Sequence, residues 1–266
     1  MEIIKKLINH YRNGILIEKI FKYTVAILYK IYNSFLFRHI FNFLLTNRRK
    51  IKRFEKSLTP IDDSFYKIAN YYLPVKNKLD KNSNFLSFGI GSDVDFEVEV
   101  YSQYGVSVNC FDPTPRSEQF INEINLNYIK FFPVGLSEDS GKLTFYQTKP
   151  YSDYTLIKPN IYWDKFNADC FSIDNILKKL NINFIDLIKL DIEGAAIDSI
   201  NQLCSSPNRF GILISELEFM EKDIENYTKK VNKIVDIANQ NNYDLFRLPK
   251  IKSNFKSIEI IIVNRN

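Results

Sequence analysis

From about residue 60 onward, short apolar runs alternate with longer segments in which apolar residues recur at helical spacing. The runs predict strands near 85–88, 106–111, 129–133, 143–146, 186–190 and 212–215, with two more near 243–247 and 258–263. Helical periodicity predicts helices near 93–104, 117–125, 173–180, 195–203 and 222–240. Alternation of this kind specifies an α/β domain over residues 59–266, and strands that are apolar along their whole length read as parallel strands covered on both faces.

Residues 1–58 follow another pattern. No glycine or proline lies between Gly14 and Pro60, and Lys22, Lys30, Ser34, Arg38 and Asn42 recur at multiples of four among Phe, Tyr, Ile and Leu. This predicts a helical extension with a broad aromatic and aliphatic face. Charged residues divide it into short apolar runs, whereas a spanning helix needs about 20 apolar residues, so no transmembrane segment or signal peptide is expected.

Charge sharpens the division. Residues 1–58 contain 13 Lys/Arg against 3 Asp/Glu, a net of +10, while the whole chain carries +5, which leaves −5 for residues 59–266. The basic cluster from Arg48 to Lys56 suits contact with an anionic membrane surface, although a solvated tail on a helix packed against the main domain is the favoured reading. Without a nucleic-acid-reading motif, a basic run is poor reason to expect nucleic acid. The cysteines Cys110, Cys170 and Cys204 form neither a disulfide framework nor a zinc-ligand spacing, which fits a reducing cytoplasm. His10 and His39 lie far upstream of the predicted domain, so a Ser-His-Asp triad or a histidine-rich metal site is not expected within it.

Three strand ends carry the candidate chemistry. The first strand runs into Gly89-Ile90-Gly91-Ser92-Asp93, where glycines allow close approach of backbone to a ligand or simply form a turn. Val94 stands where a dinucleotide fingerprint needs its third glycine. The next strand ends at Asp112-Pro113-Thr114-Pro115, about 20 residues beyond the glycines, the spacing at which an acid grips ribose hydroxyls; Asp-Pro is also a turn initiator. The strand Ile185 to Leu190 drives into Asp191, Glu193 and Gly194, where Asp191 can face a ligand or cap the following helix. Glu216 follows the next apolar run and can face the same rim. Together the three ends point to an adenosyl or nucleotide cofactor.

At these residues the chain resembles the FkbM-type methyltransferases, S-adenosylmethionine-dependent enzymes of Rossmann-like fold. The resemblance is carried by FGIGSD at 88–93, FDPTP at 111–115, FPVGLS at 132–137 and LIKLDIEGA at 187–195, and residues 1–58 lie outside it. It implies a mostly parallel seven-stranded sheet with helices on both faces and an antiparallel last strand. It also implies that Gly89 and Gly91 approach the cofactor's amino-acid moiety, that Asp112 takes its ribose hydroxyls, and that the segment from Leu136 neighbours the adenine. Ser87 departs from the pattern: many methyltransferases have an acid there, and Asp93 is the candidate to hold the methionyl ammonium instead.

The expected function is O-methyl transfer to a hydroxyl of a glycan, glycolipid or related precursor, in the cytoplasm or peripherally at the membrane through residues 1–58. A hydroxyl needs a base, and Asp191 is the first candidate for base or orienter, with Glu193 and Glu216 behind it. Carboxylates at adjacent strand ends can hold Mg²⁺, but helix capping or pairing with Lys189 explains them as well, so no metal site is assigned. The 150–155 stretch is a candidate substrate lid. Two other classes stay open: a non-catalytic binding or scaffold protein that keeps the fold, and an NAD-dependent oxidoreductase.

Overall fold

A computed structural model describes residues 52–150, 152–218, 224–249 and 257–266, together with Thr24. The chain divides into two compact units, residues 1–51 and 52–266. The helical extension expected over 1–58 thus falls almost entirely outside the described residues; within them, residues 52–57 are helical.

The second unit is built on an eight-stranded sheet in the order β1-β13-β14-β12-β11-β4-β5-β6. Its central strands are β4 (Phe85–Phe88), β5 (Val108–Phe111), β6 (Ile129–Phe132), β11 (Ile185–Leu190) and β12 (Phe210–Glu218), all parallel. The last strand, β14 (Ser257–Asn264), runs antiparallel between β12 and β13 (Tyr243–Arg247). These are the seven strands of the expected Rossmann-like sheet, and the short β1 (Thr59–Pro60) extends its edge beside β13.

The sheet interior follows from its apolar runs. Phe85, Leu86, Leu187, Ile188, Leu213, Ile214 and Ile260 to Ile262 are all fully buried. Phe88, Phe111 and Phe132 sit opposite one another in register and stack across three strands, with ring centroids 4.7 and 4.8 Å apart. Cross-strand aromatic pairs of this kind fix register as well as burying area.

Local signals set the helix ends. In α2 (Pro115–Ile124), Thr114 accepts from the Ser117 N–H and Pro115 occupies the first turn. In α3 (Ile173–Leu180), Ser172 caps through the Asn175 N–H, and Asn181 closes the helix in the left-handed conformation. Three further helices follow in the second unit, α1 (Asp95–Tyr104), α4 (Ala196–Cys204) and α5 (Ile224–Gln240).

Two smaller sheets were not anticipated. Strands β2 (Phe65–Ile68) and β3 (Tyr71–Pro74) form an antiparallel hairpin. A four-stranded sheet in the order β7-β10-β8-β9 joins β7 (Gly135–Leu136), β8 (Gly141–Gln147), β9 (Tyr154–Thr155) and β10 (Asp164–Phe171). The strand expected at 143–146 belongs to this layer and not to the main sheet.

Candidate active site

The sheet order reverses where β4 has β5 on one side and β11 on the other. In open α/β sheets a crevice forms beyond the strand ends at such a point. Here it is a cleft of about 420 Å³, within the range of small-molecule sites. All the residues singled out from the sequence line it: Gly89, Gly91, Asp93, Asp112, Leu136, Asp191, Glu193 and Glu216. Asp153 and Tyr154 of the candidate lid stretch line it too, as do Glu218 and Arg116, to which the sequence pattern gave no role.

One half of the cleft is backbone-rich and tightly turned. Gly89 follows β4 with φ +75°, and a Cβ there would lie 1.8 Å from the Asp191 carbonyl oxygen, so the two strand ends touch only because residue 89 has no side chain. Gly91 also has positive φ, but a Cβ there meets nothing within 4 Å: it would project into open space where a ligand can approach the backbone. Asp112 is almost fully buried. Its carboxylate accepts from the Gly91 N–H at 3.0 Å, the Thr114 N–H at 2.8 Å and the Thr114 hydroxyl at 2.6 Å. Asp112 therefore ties the turn to the glycine loop and lines the cleft. Asp93 accepts from the Asp95 N–H at 2.9 Å at the entry to α1, and Arg116 donates to the Ser92 hydroxyl at 2.9 Å.

The other half is a wall of carboxylates. Asp191, Glu193, Glu216, Glu218 and Asp153 all face the cleft. Burial, reinforced by Glu218, Asp153, Asp191 and Glu216, pushes Glu193 up to about 8, and burial with Glu216, Asp191 and Asp153 pushes Glu218 up to about 7. Desolvation by the cleft walls also raises Asp191. Lys189 opposes that shift, Glu216 adds to it, and the Tyr71 hydroxyl, donating to Oδ2 at 3.3 Å, opposes it. Glu259, opposite Glu216 on β14, is raised to about 6 by burial and by Glu216 and Asp191. Asp191 does not cap the next helix: α4 begins at Ala196 and has no side-chain cap.

Behind this wall, Lys189 is buried and its ammonium lies 3.3 Å from Oε1 of the fully buried Glu97. Ser87 donates its hydroxyl to the same oxygen. The partner of Lys189 is therefore Glu97 on α1, not a cleft carboxylate, and Ser87 stands against a buried acid. Gly194 has φ +83° and leaves room for Thr155, whose hydroxyl donates to the Glu193 carbonyl at 3.3 Å. Part of the stretch expected as a lid is thus β9, docked over the Glu193–Gly194 turn. Among the described residues no group of three or more His, Cys, Asp or Glu is arranged to hold a metal ion.

The profile of the Methyltransferase FkbM domain matches residues 57–245. The chain belongs to the FkbM methyltransferase family. No curated protein matches its sequence. Solved structures with a similar fold include an rRNA methylase from Streptococcus thermophilus, at 13% identity and TM-score 0.41, covering 71% of this chain and 90% of that one. SMU.1697c from Streptococcus mutans, solved in complex with SAH, has 12% identity and TM-score 0.41, covering 70% and 90%. A protein from Clostridium thermocellum described as an rRNA methylase has 11% identity and TM-score 0.42, covering 72% and 99%. As an FkbM methyltransferase the protein uses S-adenosylmethionine, and the cleft fits it: the open space at Gly91, the glycine turn and the buried Asp112 carboxylate offer a backbone cradle and an acceptor for hydroxyls.

Proposed function

We propose that this FkbM methyltransferase transfers a methyl group to a hydroxyl of a glycan, glycolipid or related precursor. The observation that carries the reading is the carboxylate wall, and in particular Glu193, whose carboxyl is raised to about 8 within the cleft. An alcohol is a poor nucleophile at neutral pH, and a base works best when its pKa lies near the working pH. Bound S-adenosylmethionine supplies a methyl group on a positively charged sulfur, so the protein's task is to align the acceptor, exclude water and accept one proton.

In this reading Asp191, held by Tyr71, orients the acceptor hydroxyl, and a carboxylate oxygen of Glu193 takes its proton. Burial, and after it the neighbouring carboxyls of Glu218, Asp153, Asp191 and Glu216, keep that proton affinity high.

The test is methyl transfer from labelled S-adenosylmethionine to a panel of saccharides and lipid-linked saccharides. Turnover is expected to rise with pH as Glu193 ionises, with an inflection at about 8, and to fall about 100-fold in Glu193→Gln with little change in cofactor affinity. Transfer to amines alone would replace the hydroxyl acceptor, and cofactor binding without transfer to any acceptor class would favour a scaffold.

A further inference from the structure

Three consecutive large apolar side chains, Ile161, Tyr162 and Trp163, stand 83%, 39% and 67% exposed in the connection between β9 and β10. The other exposed large hydrophobics among the described residues, Val75 and Phe184, occur singly. Single exposed apolar residues are ordinary, whereas a contiguous apolar tip marks an interaction surface.

The tip is anchored. The Trp163 N–H donates to the Gln147 carbonyl at 2.7 Å, and the Tyr162 ring meets Tyr146 edge-on with centroids 5.3 Å apart. Next to it, the Tyr154 hydroxyl donates to Asp164 at 2.7 Å. Gln147 and Tyr154 both line the cleft, so the apolar tip is tied to the cleft mouth. Lys149, Lys158 and Lys165 are exposed in the segments that flank it in sequence, and residues 142–166 contain four lysines against two aspartates, of which Asp164 is engaged by Tyr154.

We propose that this tip is a shallow membrane-contact element that seats the cleft mouth on an anionic lipid bilayer. Tryptophan and tyrosine partition to the headgroup level, an aliphatic side chain beside them enters the acyl boundary, and lysines draw anionic headgroups. A saccharide platform fits less well. Ile161, the most exposed of the three, has no hydrogen-bonding group to offer hydroxyls, and Tyr162 already packs against Tyr146 with the Lys165 ammonium 5.6 Å from its ring centroid. The contact requires neither residues 1–58 nor the hydroxyl-acceptor reading.

Trp163 is the only tryptophan in the chain, so its emission reports on this loop alone. With the full chain and vesicles of mixed phosphatidylcholine and phosphatidylglycerol, the emission should shift to the blue and become shielded from acrylamide. Phosphatidylcholine alone should act more weakly. The variant Ile161→Ser/Tyr162→Ser, which keeps the reporter, should need roughly ten-fold more lipid for the same response. Co-sedimentation with unchanged Trp163 emission would place membrane contact elsewhere and overturn the proposal. So would absence of both binding and shift, a blue shift with oligosaccharides but not vesicles, or one that grows with protein concentration alone.

Discussion

Ser87, Glu97 and Lys189 show how a departure in one motif is met by a residue outside it. Motif comparison marks Ser87 as a missing acid, but only the packing of α1 against β4 and β11 reveals that Glu97 lies beside it and pairs with Lys189. Breaking a buried ion pair by removing one member leaves an uncompensated charge, so Lys189→Met is expected to cost about 3–5 kcal/mol in chemical denaturation. Glu97→Gln combined with Lys189→Met should recover most of that loss. A double-variant loss equal to the sum of the two single-variant losses would show that the pair is not coupled. Gly89 makes a second prediction from geometry. Its positive φ and the 1.8 Å approach of a Cβ to the Asp191 carbonyl mean that Gly89→Ala should destabilise by about 1–3 kcal/mol, whereas Gly91→Ala, with open space around its Cβ, should affect cofactor binding more than folding.

The ends of β11 and β12 bring together carboxyls that prefer to be neutral, and this sets the pH dependence of stability. Glu193 and Glu218 titrate near 4.5 when unfolded and at about 8 and about 7 when folded. A raised folded pKa stabilises fully below the unfolded value and is lost as pH rises through the folded value. Thermal stability should therefore fall between pH 5 and pH 8. Replacing both residues by Gln should flatten that slope and raise Tm at pH 8 by roughly 2–4 °C; an unchanged slope would mean that these groups are not buried as described. The main strands were legible because their apolar runs end in glycines and acids. Strand β10 was not: DKFNADCF is largely exposed and polar, so it carries no buried-strand signature. The β2–β3 hairpin turns through Ala69 at φ +48°, a position where Gly or Asn would have announced it. With that hairpin unread, Tyr71 could not be placed against Asp191.

Taken whole, the molecule places a glycine-rich half of one cleft opposite a carboxylate half, with the small sheet across its mouth. The residues of both halves were legible because strand ends in an α/β sheet converge on one edge. The crowding that raises Glu193 and brings in Glu218 and Asp153 depends on distances between segments remote in sequence. In the proposed function the two halves have separate tasks, cofactor binding around Gly91 and Asp112 and acceptor chemistry around Asp191 and Glu193. Calorimetric titration of S-adenosylmethionine into wild type, Asp112→Ala and Glu193→Gln addresses it directly. Wild type and Glu193→Gln should bind with similar affinity, while Asp112→Ala should bind roughly ten- to 100-fold more weakly. No binding by folded wild type, or equal weakening in both variants, would contradict the division.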